Sequence, residues 1–278
     1  MQLCRRNPHY QTVVTSVRLG DLDTVRDLLE LGLAQVDWLY RGASLLCLSV
    51  CRGDGEMVEL LTRAGADVNR FYTYQGYSET ALIAAVRLGY ENIARSLALH
   101  PGTEVDAVDS AGKSALQFAV ETRRPGLVSL LLQAGARIPP TLLHTAIKFS
   151  GYITGQEISF LLIRHGAKLE VEDELGRTAL SWAVFVNNQE LVWELLRLGG
   201  RSAKVSPALL ALASTEIREM MERSRKEVVR LELLASGVIR RCLVSSSSNN
   251  YNRETQTFSQ RLQLLPLPDK LKCFNCSK

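Results

Sequence analysis

No stretch of this sequence approaches the roughly 20 consecutive apolar residues that a membrane-spanning helix requires. The first residues hold no apolar leader either, because Arg5 and Arg6 are followed by Asn7, Pro8 and His9. Charge of one sign is scarce: 33 Lys and Arg against 29 Asp and Glu leave a formal net charge of +4 over 278 residues. A surface that tracks phosphates needs a concentrated basic stripe. The nearest run, Arg223-Ser224-Arg225-Lys226, reads as a solvated face. Neither nucleic acid nor a membrane is therefore expected as a partner. The six cysteines, at 4, 47, 51, 242, 273 and 276, form no regular framework. Free thiols in an intracellular protein are expected, in the cytoplasm and with the nucleus as a second compartment. Cys273 and Cys276 make a lone C-x-x-C; a zinc site would need two further ligands, and no second pair at ligand spacing exists.

Catalytic signatures are missing as well. There is no G-x-x-x-x-G-K-[S/T] phosphate loop and no G-x-G-x-x-G after a strand. Nucleophilic catalysis needs a Ser or Cys beside a base that a third group orients. His9, His100, His144 and His165 lie far apart and share no such pattern. The carboxylates Glu172-Asp173-Glu174 read as turn residues on a polar edge, and Trp182 as a core residue in preference to a stacking platform. No enzyme activity, cofactor or metal is expected.

What is present is a repeat. The phrases VRDLLELGLAQVD, VELLTRAGADVN, VSLLLQAGARI, SFLLIRHGAKLE and VWELLRLGG return at intervals of roughly thirty residues. A second phrase precedes most of them: ETALIAAVRLGYENI, GKSALQFAVETRRPGLV, TLLHTAIKFSG and GRTALSWAVFVNNQELV. Each unit reads as turn, short helix, turn, longer helix and glycine-containing turn, which is a helical solenoid. Thr80 and Thr178 are placed to cap the short helix by accepting a backbone N–H. Ala84, Ala119, Ala146 and Ala183 leave room for short helices to stack. Leucine pairs at 28–29, 60–61, 131–132, 161–162 and 195–196 fill the seams between units. Gly65, Gly135 and Gly166 stand where the longer helix must end in a left-handed conformation.

These phrases resemble the ankyrin repeat, in which Gly-x-Thr-Pro-Leu-His is followed by Ala-Ala, a Gly, a Leu-rich helix and Gly-Ala-Asp. Here Ala, Ser or Leu usually replaces the Pro, and only His144 keeps the His, where its imidazole is expected to hydrogen-bond across a turn. The resemblance implies an all-α ankyrin solenoid over 9–201. Six units run at about 9–37, 38–70, 71–106, 107–138, 139–170 and 171–201, with a degenerate cap or linker at 202–225 and a seventh element reaching to about 237. CRGDGEM is expected to carry one extra residue between helices, and FSGYITGQEI about four, as a longer turn. RFYTYQGYSET is some three residues longer than the family spacing. Its Phe71, Tyr72, Tyr74 and Tyr77 suggest an aromatic finger that contacts a target protein, or rings that cover a joint between units. Trp38 and Tyr40, in an earlier turn, are further candidates for target contact.

The end of the chain departs from the repeat. SSSSNNYNRETQTFSQ is polar, and LQLLPLPDKLKCF is apolar again. With the array, these residues resemble the ankyrin-repeat and SOCS-box family. Its terminal box opens with Leu-x-x-Leu-Cys-x-x-x-Ile-Arg and closes with Leu-Pro-Leu-Pro-x-x-Leu-Lys-x-Tyr. Leu231, Leu234, Ala235, Ile239 and Arg240 stand at the first spacing. Leu265, Pro266, Leu267, Pro268, Leu271, Lys272 and Phe274 stand at the second. The resemblance implies a box over 226–274 with a polar insert near 245–260. It implies a substrate-recognition subunit of a cullin-RING ubiquitin ligase. Leu231, Leu234, Val238, Ile239 and Arg240 would meet elongin C, joined by elongin B. Leu265 to Pro268 would select a cullin with its RING subunit. Ala235 departs from the family's Cys, and KEVVRLELLASGV also resembles the second helix of an ankyrin unit, with Gly237 as its terminal glycine. The alternative is an ankyrin adaptor with no part in ubiquitination.

Overall fold

A computed structural model describes residues 7–74, 77–150 and 153–226. The chain divides into two compact units, Met1–Ile217 and Arg218–Lys278. The first is an array of antiparallel helix pairs: α1 (Pro8–Leu19) with α2 (Leu22–Glu30), α3 (Leu45–Arg52) with α4 (Gly55–Arg63), and α5 (Ala81–Leu88) with α6 (Glu91–Ala98). The series continues with α7 (Ala115–Glu121) and α8 (Pro125–Gln133), α9 (Leu142–Lys148) and α10 (Ile153–Arg164), and α11 (Ala179–Phe185) and α12 (Gln189–Arg197). A 3-10 turn at Ser202–Lys204 leads to α13 (Pro207–Leu212), and a further helix starts at 215. Within the second unit, 218–226 are helical and carry an Arg223–Glu219 ion pair one turn apart.

Local chemistry sets the helix boundaries. Ser44, Thr80, Ser114 and Thr178 precede the short helices, and each hydroxyl accepts the N–H three residues on, at 3.2–3.4 Å. Ser114 completes a capping box, its own N–H donating to Gln117 Oε1 at 2.8 Å. Thr141, behind two prolines, makes no such bond. Asp21, Asp54 and Asn188 cap longer helices in the same way. Gly65, Gly135 and Gly166 end longer helices at φ near +85°. Each then packs a buried Ala66, Ala136 or Ala167 beneath the helix it closes.

The short helices stack in the order α1, α3, α5, α7, α9, α11, α13, and the longer helices stack behind them. Ala84, Ala119, Ala146 and Ala183 sit fully buried at the short-helix seams. Of the leucine pairs, Leu28, Leu61, Leu131, Leu132, Leu162 and Leu195 are buried, while Leu29, Leu60, Leu161 and Leu196 are half-buried at the margin. Full burial of each such side chain contributes about 1.5–3 kcal/mol. A polar ladder ties successive units: Asp37 Oδ1 accepts from Asp67 N–H, Asn69 Oδ1 from Glu104 N–H, Asp106 Oδ1 from Arg137 N–H and Glu170 Oε1 from Arg201 N–H, at 2.8–3.1 Å.

Two length expectations change. Gly53 to Gly65 spans the same 12 positions as Gly20 to Gly32, all four at positive φ, so CRGDGEM holds no extra residue. In FSGYITGQEI, part of the added length becomes helix: α10 has 12 residues against 9 in α4, α8 and α12. The lengthened end of α10 passes close to the end of α9. A Cβ on the buried Gly155 would stand 2.1 Å from the carbonyl oxygen of Phe149, so only glycine allows this approach. Gly155→Ala should lower the stability of the array by about 1–3 kcal/mol through backbone displacement. Urea denaturation checks this, with Gly166→Asn as a control that keeps left-handed geometry accessible.

Candidate protein-binding surface

Two short hairpins project from the turns ahead of the short helices. β1 (Leu39–Tyr40) pairs with β2 (Ala43–Ser44), and β3 (Tyr72–Tyr74) pairs with β4 (Tyr77–Glu79) in antiparallel register. Tyr72 lies opposite Glu79 and Tyr74 opposite Tyr77. The hairpins stand side by side, and the second also touches the next turn, where Ser110 N–H donates to Ser78 O at 2.9 Å.

The six aromatic candidates for target contact part company here. Phe71 is 46% exposed and remains available. Tyr72 is 1% exposed, so it is no contact residue. Its hydroxyl donates to Glu79 Oε1 at 2.7 Å, and the alternation of the strand turns it inward. Trp38 is 5% exposed and is likewise withdrawn. It packs edge-on against Tyr10 with ring centroids 5.5 Å apart, filling the joint between the first two units. Tyr40 is half-buried beneath the guanidinium groups of Arg18 and Arg41, at 6.0 and 5.4 Å from its ring. Tyr74 and Tyr77 lie at the far end of the hairpin, with side chains outside the described residues. Leu231, Leu234, Val238, Ile239, Arg240, Leu265, Pro266, Leu267 and Pro268 also lie outside the described residues, as does the whole box beyond residue 226.

A lock braces the third unit, and the Tyr72 hydroxyl also lies 3.9 Å from Cys51 Sγ of the second. Glu79 is almost wholly buried, and both its oxygens are held by Arg87, with Nη2–Oε1 at 2.6 Å and Nε–Oε2 at 3.0 Å. This bidentate pair also accepts the Tyr72 hydroxyl. Burial, with the hydrogen bond to Glu79, raises the Tyr72 pKa above its usual value. The bond to Glu79 raises that of Arg87. Burial pushes the neighbouring Cys47 thiol up to about 12, so it stays protonated. Sequence reasoning missed Glu79, which stands one residue before the cap Thr80, where other units carry Ala43, Lys113 or Arg177; that departure is the signal that could have found it.

Asp109 and Asp173 organise the turns of the fourth and sixth units. Asp109 Oδ1 accepts from the N–H groups of Ala111 and Lys113 at 2.9 and 2.8 Å. Asp173 Oδ1 does the same for Leu175 and Arg177 at 2.9 Å, and Oδ2 accepts from Trp182 Nε1 at 2.9 Å and Arg177 Nε at 3.2 Å. Burial opposes ionisation of Asp173, but the hydrogen bonds from Arg177, Trp182 and Leu175, with the Arg177 charge, outweigh it and lower the pKa to about 2. Asp173 is thus a structural anchor of Trp182, which is buried, and no mere edge residue. His144 is buried in α9, and its Nε2 meets Val171 O at 3.1 Å, bonding across to the following unit.

The open part of the short-helix face follows one register. Arg18, Cys51, Arg87, Glu121, Lys148 and Phe185 each stand two residues before the equivalent turn position (Gly20, Gly53, Gly89, Arg123, Ser150 and Asn187), and each is exposed. Among the described residues no group of three His, Cys, Asp or Glu is placed to hold a metal, and no helix is long and apolar enough to cross a membrane.

Glu79→Gln removes the charge that Arg87 and Tyr72 share, and should cost about 1–3 kcal/mol. Thermal and urea unfolding measure it, and Tyr72→Phe should cost less because it leaves the ion pair intact. Asp173 gives a pH signature. Its folded-state pKa lies below the usual 3.8, so its contribution is complete above that value and is lost as pH falls through about 2. The stability gap between the wild type and Asp173→Asn should therefore narrow from about pH 5 to about pH 2 in urea titrations.

Residues 46–141 match the family model for ankyrin repeats in three copies. A putative ankyrin repeat-containing protein of Treponema pallidum (strain Nichols) is 32% identical over 126 residues, covering 45% of this chain and 41% of that protein. A putative ankyrin repeat protein of Fowlpox virus (strain NVSL) is 28% identical over 123 residues, covering 43% and 29%. The chain thus spans less than half the length of either curated relative. Among solved structures, the ankyrin repeat domain of Bcl-3, described as a unique member of the IkappaB protein family, is similar with a TM-score of 0.63 and 26% identity. That match covers 76% of this chain and 97% of the other. An ankyrin repeat domain from Acinetobacter baumannii shares the fold with a TM-score of 0.61 at 24% identity, over 68% of this chain and 98% of that one. The capped helix pairs, the stacked short helices and these likenesses together show an all-α ankyrin-type solenoid fold, with ankyrin repeats matched over residues 46–141.

Proposed function

We propose that the chain is a protein-binding scaffold whose partner lies along the short-helix face and the hairpin fingers. The observation that carries this reading is the exposed register of Arg18, Cys51, Arg87, Glu121, Lys148 and Phe185. One backbone position is repeated six times with five residue types, cationic, anionic, thiol and aromatic, beside positions that are buried and alike. A periodic scaffold with a varied open edge suits recognition of one extended surface, and stacked repeats build such surfaces by geometry alone. Its role is to hold a partner, not to transform it. In affinity purification with the full chain, Phe71→Ala combined with Phe185→Ala should lose partners that Trp193→Ala, on the exposed side of α12, retains. Loss with Trp193→Ala alone would move the site to the longer helices.

A second reading concerns residues 226–274, and the pattern LPLPDKLKCF favours it, since an ankyrin cap has no use for that sequence. On this reading the array holds a target, while Leu231 and its neighbours hold elongin C with elongin B. Leu265 to Pro268 then engage a cullin with its RING subunit. Paired prolines stiffen such a corner and reduce the ordering cost of meeting a partner. Purification of the wild type should bring down elongin B and C, Leu231→Ala should not, and deletion of 227–278 should keep the target. Absence of elongins from the wild-type sample leaves the adaptor reading alone.

A further inference from the structure

We propose that the cluster around Trp182, between the fifth and sixth units, takes an acidic peptide segment of the partner, with a carboxylate placed beside an apolar side chain. The proposal rests on the short-helix face being the protein-binding surface, and names the chemistry that one part of it selects. Arg177 Cζ lies 4.0 Å and Lys148 Nζ 4.5 Å from the centre of the Trp182 ring. The ring is held by its own N–H bond to Asp173, so both cations lie against a ring of fixed position. Phe185 stands edge-on to the same ring at 5.6 Å and is 58% exposed. An open apolar edge and two cations therefore meet within one side-chain length.

Charge complementarity identifies the occupant. Along the exposed register, the third and fourth units neutralise themselves: Arg87 is paired with Glu79, and Glu121 with Lys113 at 2.8 Å. In the fifth unit Lys148 has no ion pair among the described residues, and its contact is the Trp182 ring. Arg177 shares the charge of Asp173, but that carboxylate already accepts two backbone N–H groups and the Trp182 N–H. Among Lys148, Arg177 and Asp173 the balance is thus one positive charge, beside the Trp182 ring and Phe185. A single partner carboxylate balances it, and the side chain following that carboxylate can cover Phe185. A nucleic acid strand fits less well, because a single spare cation balances only one of its closely spaced phosphates.

The probe is an array of immobilised 12-residue peptides in which one Asp or Glu precedes Leu, Phe or Tyr. Companion peptides carry Lys for the acid, or Ser for the apolar residue, and a single-stranded oligonucleotide serves as a separate arm. The full chain should retain acidic-apolar peptides over both companions, and added salt should weaken the retention. Lys148→Glu should reduce affinity about tenfold, and Phe185→Ser should remove the preference for an apolar neighbour. Arg63→Glu, on α4, should change nothing. Retention that ignores Lys148→Glu overturns this assignment while leaving the array a protein-binding surface. Retention of no peptide class overturns this assignment, and partners still captured through Phe71 and Phe185 then keep the broader reading. Equal, Lys148-dependent binding of the oligonucleotide overturns the choice of an acidic peptide.

Discussion

Close approach between successive short helices is the constraint on which the remaining structure depends. Ala84, Ala119, Ala146 and Ala183 sit at the seams with essentially no exposure. A larger side chain there would separate neighbouring units, and every other inter-unit contact would fail with it. Because the short helices approach closely, the longer ones can bury Leu61, Leu131, Leu162 and Leu195 behind them. The Asp37, Asn69, Asp106 and Glu170 carboxyl and amide oxygens then reach the next unit's backbone at hydrogen-bond distance. Each unit is stable through its neighbours, which is the one-dimensional energetics of a solenoid.

Regular stacking frees one edge from structural duty. The buried face of each short helix repeats, while the exposed register carries Arg, Cys, Arg, Glu, Lys and Phe. Where charges at this edge are internally paired, as at Glu79–Arg87, they also brace the fingers. Where pairing stops, at Lys148, the edge presents charge over the Trp182 ring. Bracing and presentation use the same residue types, and only the location of the opposite charge separates them.

Much of the fold was legible because a repeat offers several samples of one pattern. Thr80 and Thr178 cap where the spacing places them, and Gly65, Gly135 and Gly166 turn left-handed. The candidate site was less legible, since aromaticity does not encode direction. Phe71 and Tyr72 are adjacent in sequence, yet one faces outward and the other binds Glu79, because successive strand residues point to opposite sides. Trp38 looked like a finger residue but fills the joint against Tyr10. Asp173 looked like surface charge, and its four hydrogen-bond donors come from residues that meet only in the folded turn.

Periodicity by itself determined the number of helices per unit, their caps and the residues that separate the units, because those features depend on contacts within thirty residues. Tertiary structure decided the rest. It turned the extra residues before α10 into helix, with Gly155 against Phe149 as the condition. It also joined Arg87 and Tyr72 around the buried Glu79, and Lys148, Arg177 and Phe185 into one cluster around Trp182. The physical reason is that charge and aromatic surface acquire their roles from what lies opposite, which the folded turn sets within a unit at Glu79 and Asp173, and stacking sets between units at Lys148 and Trp182.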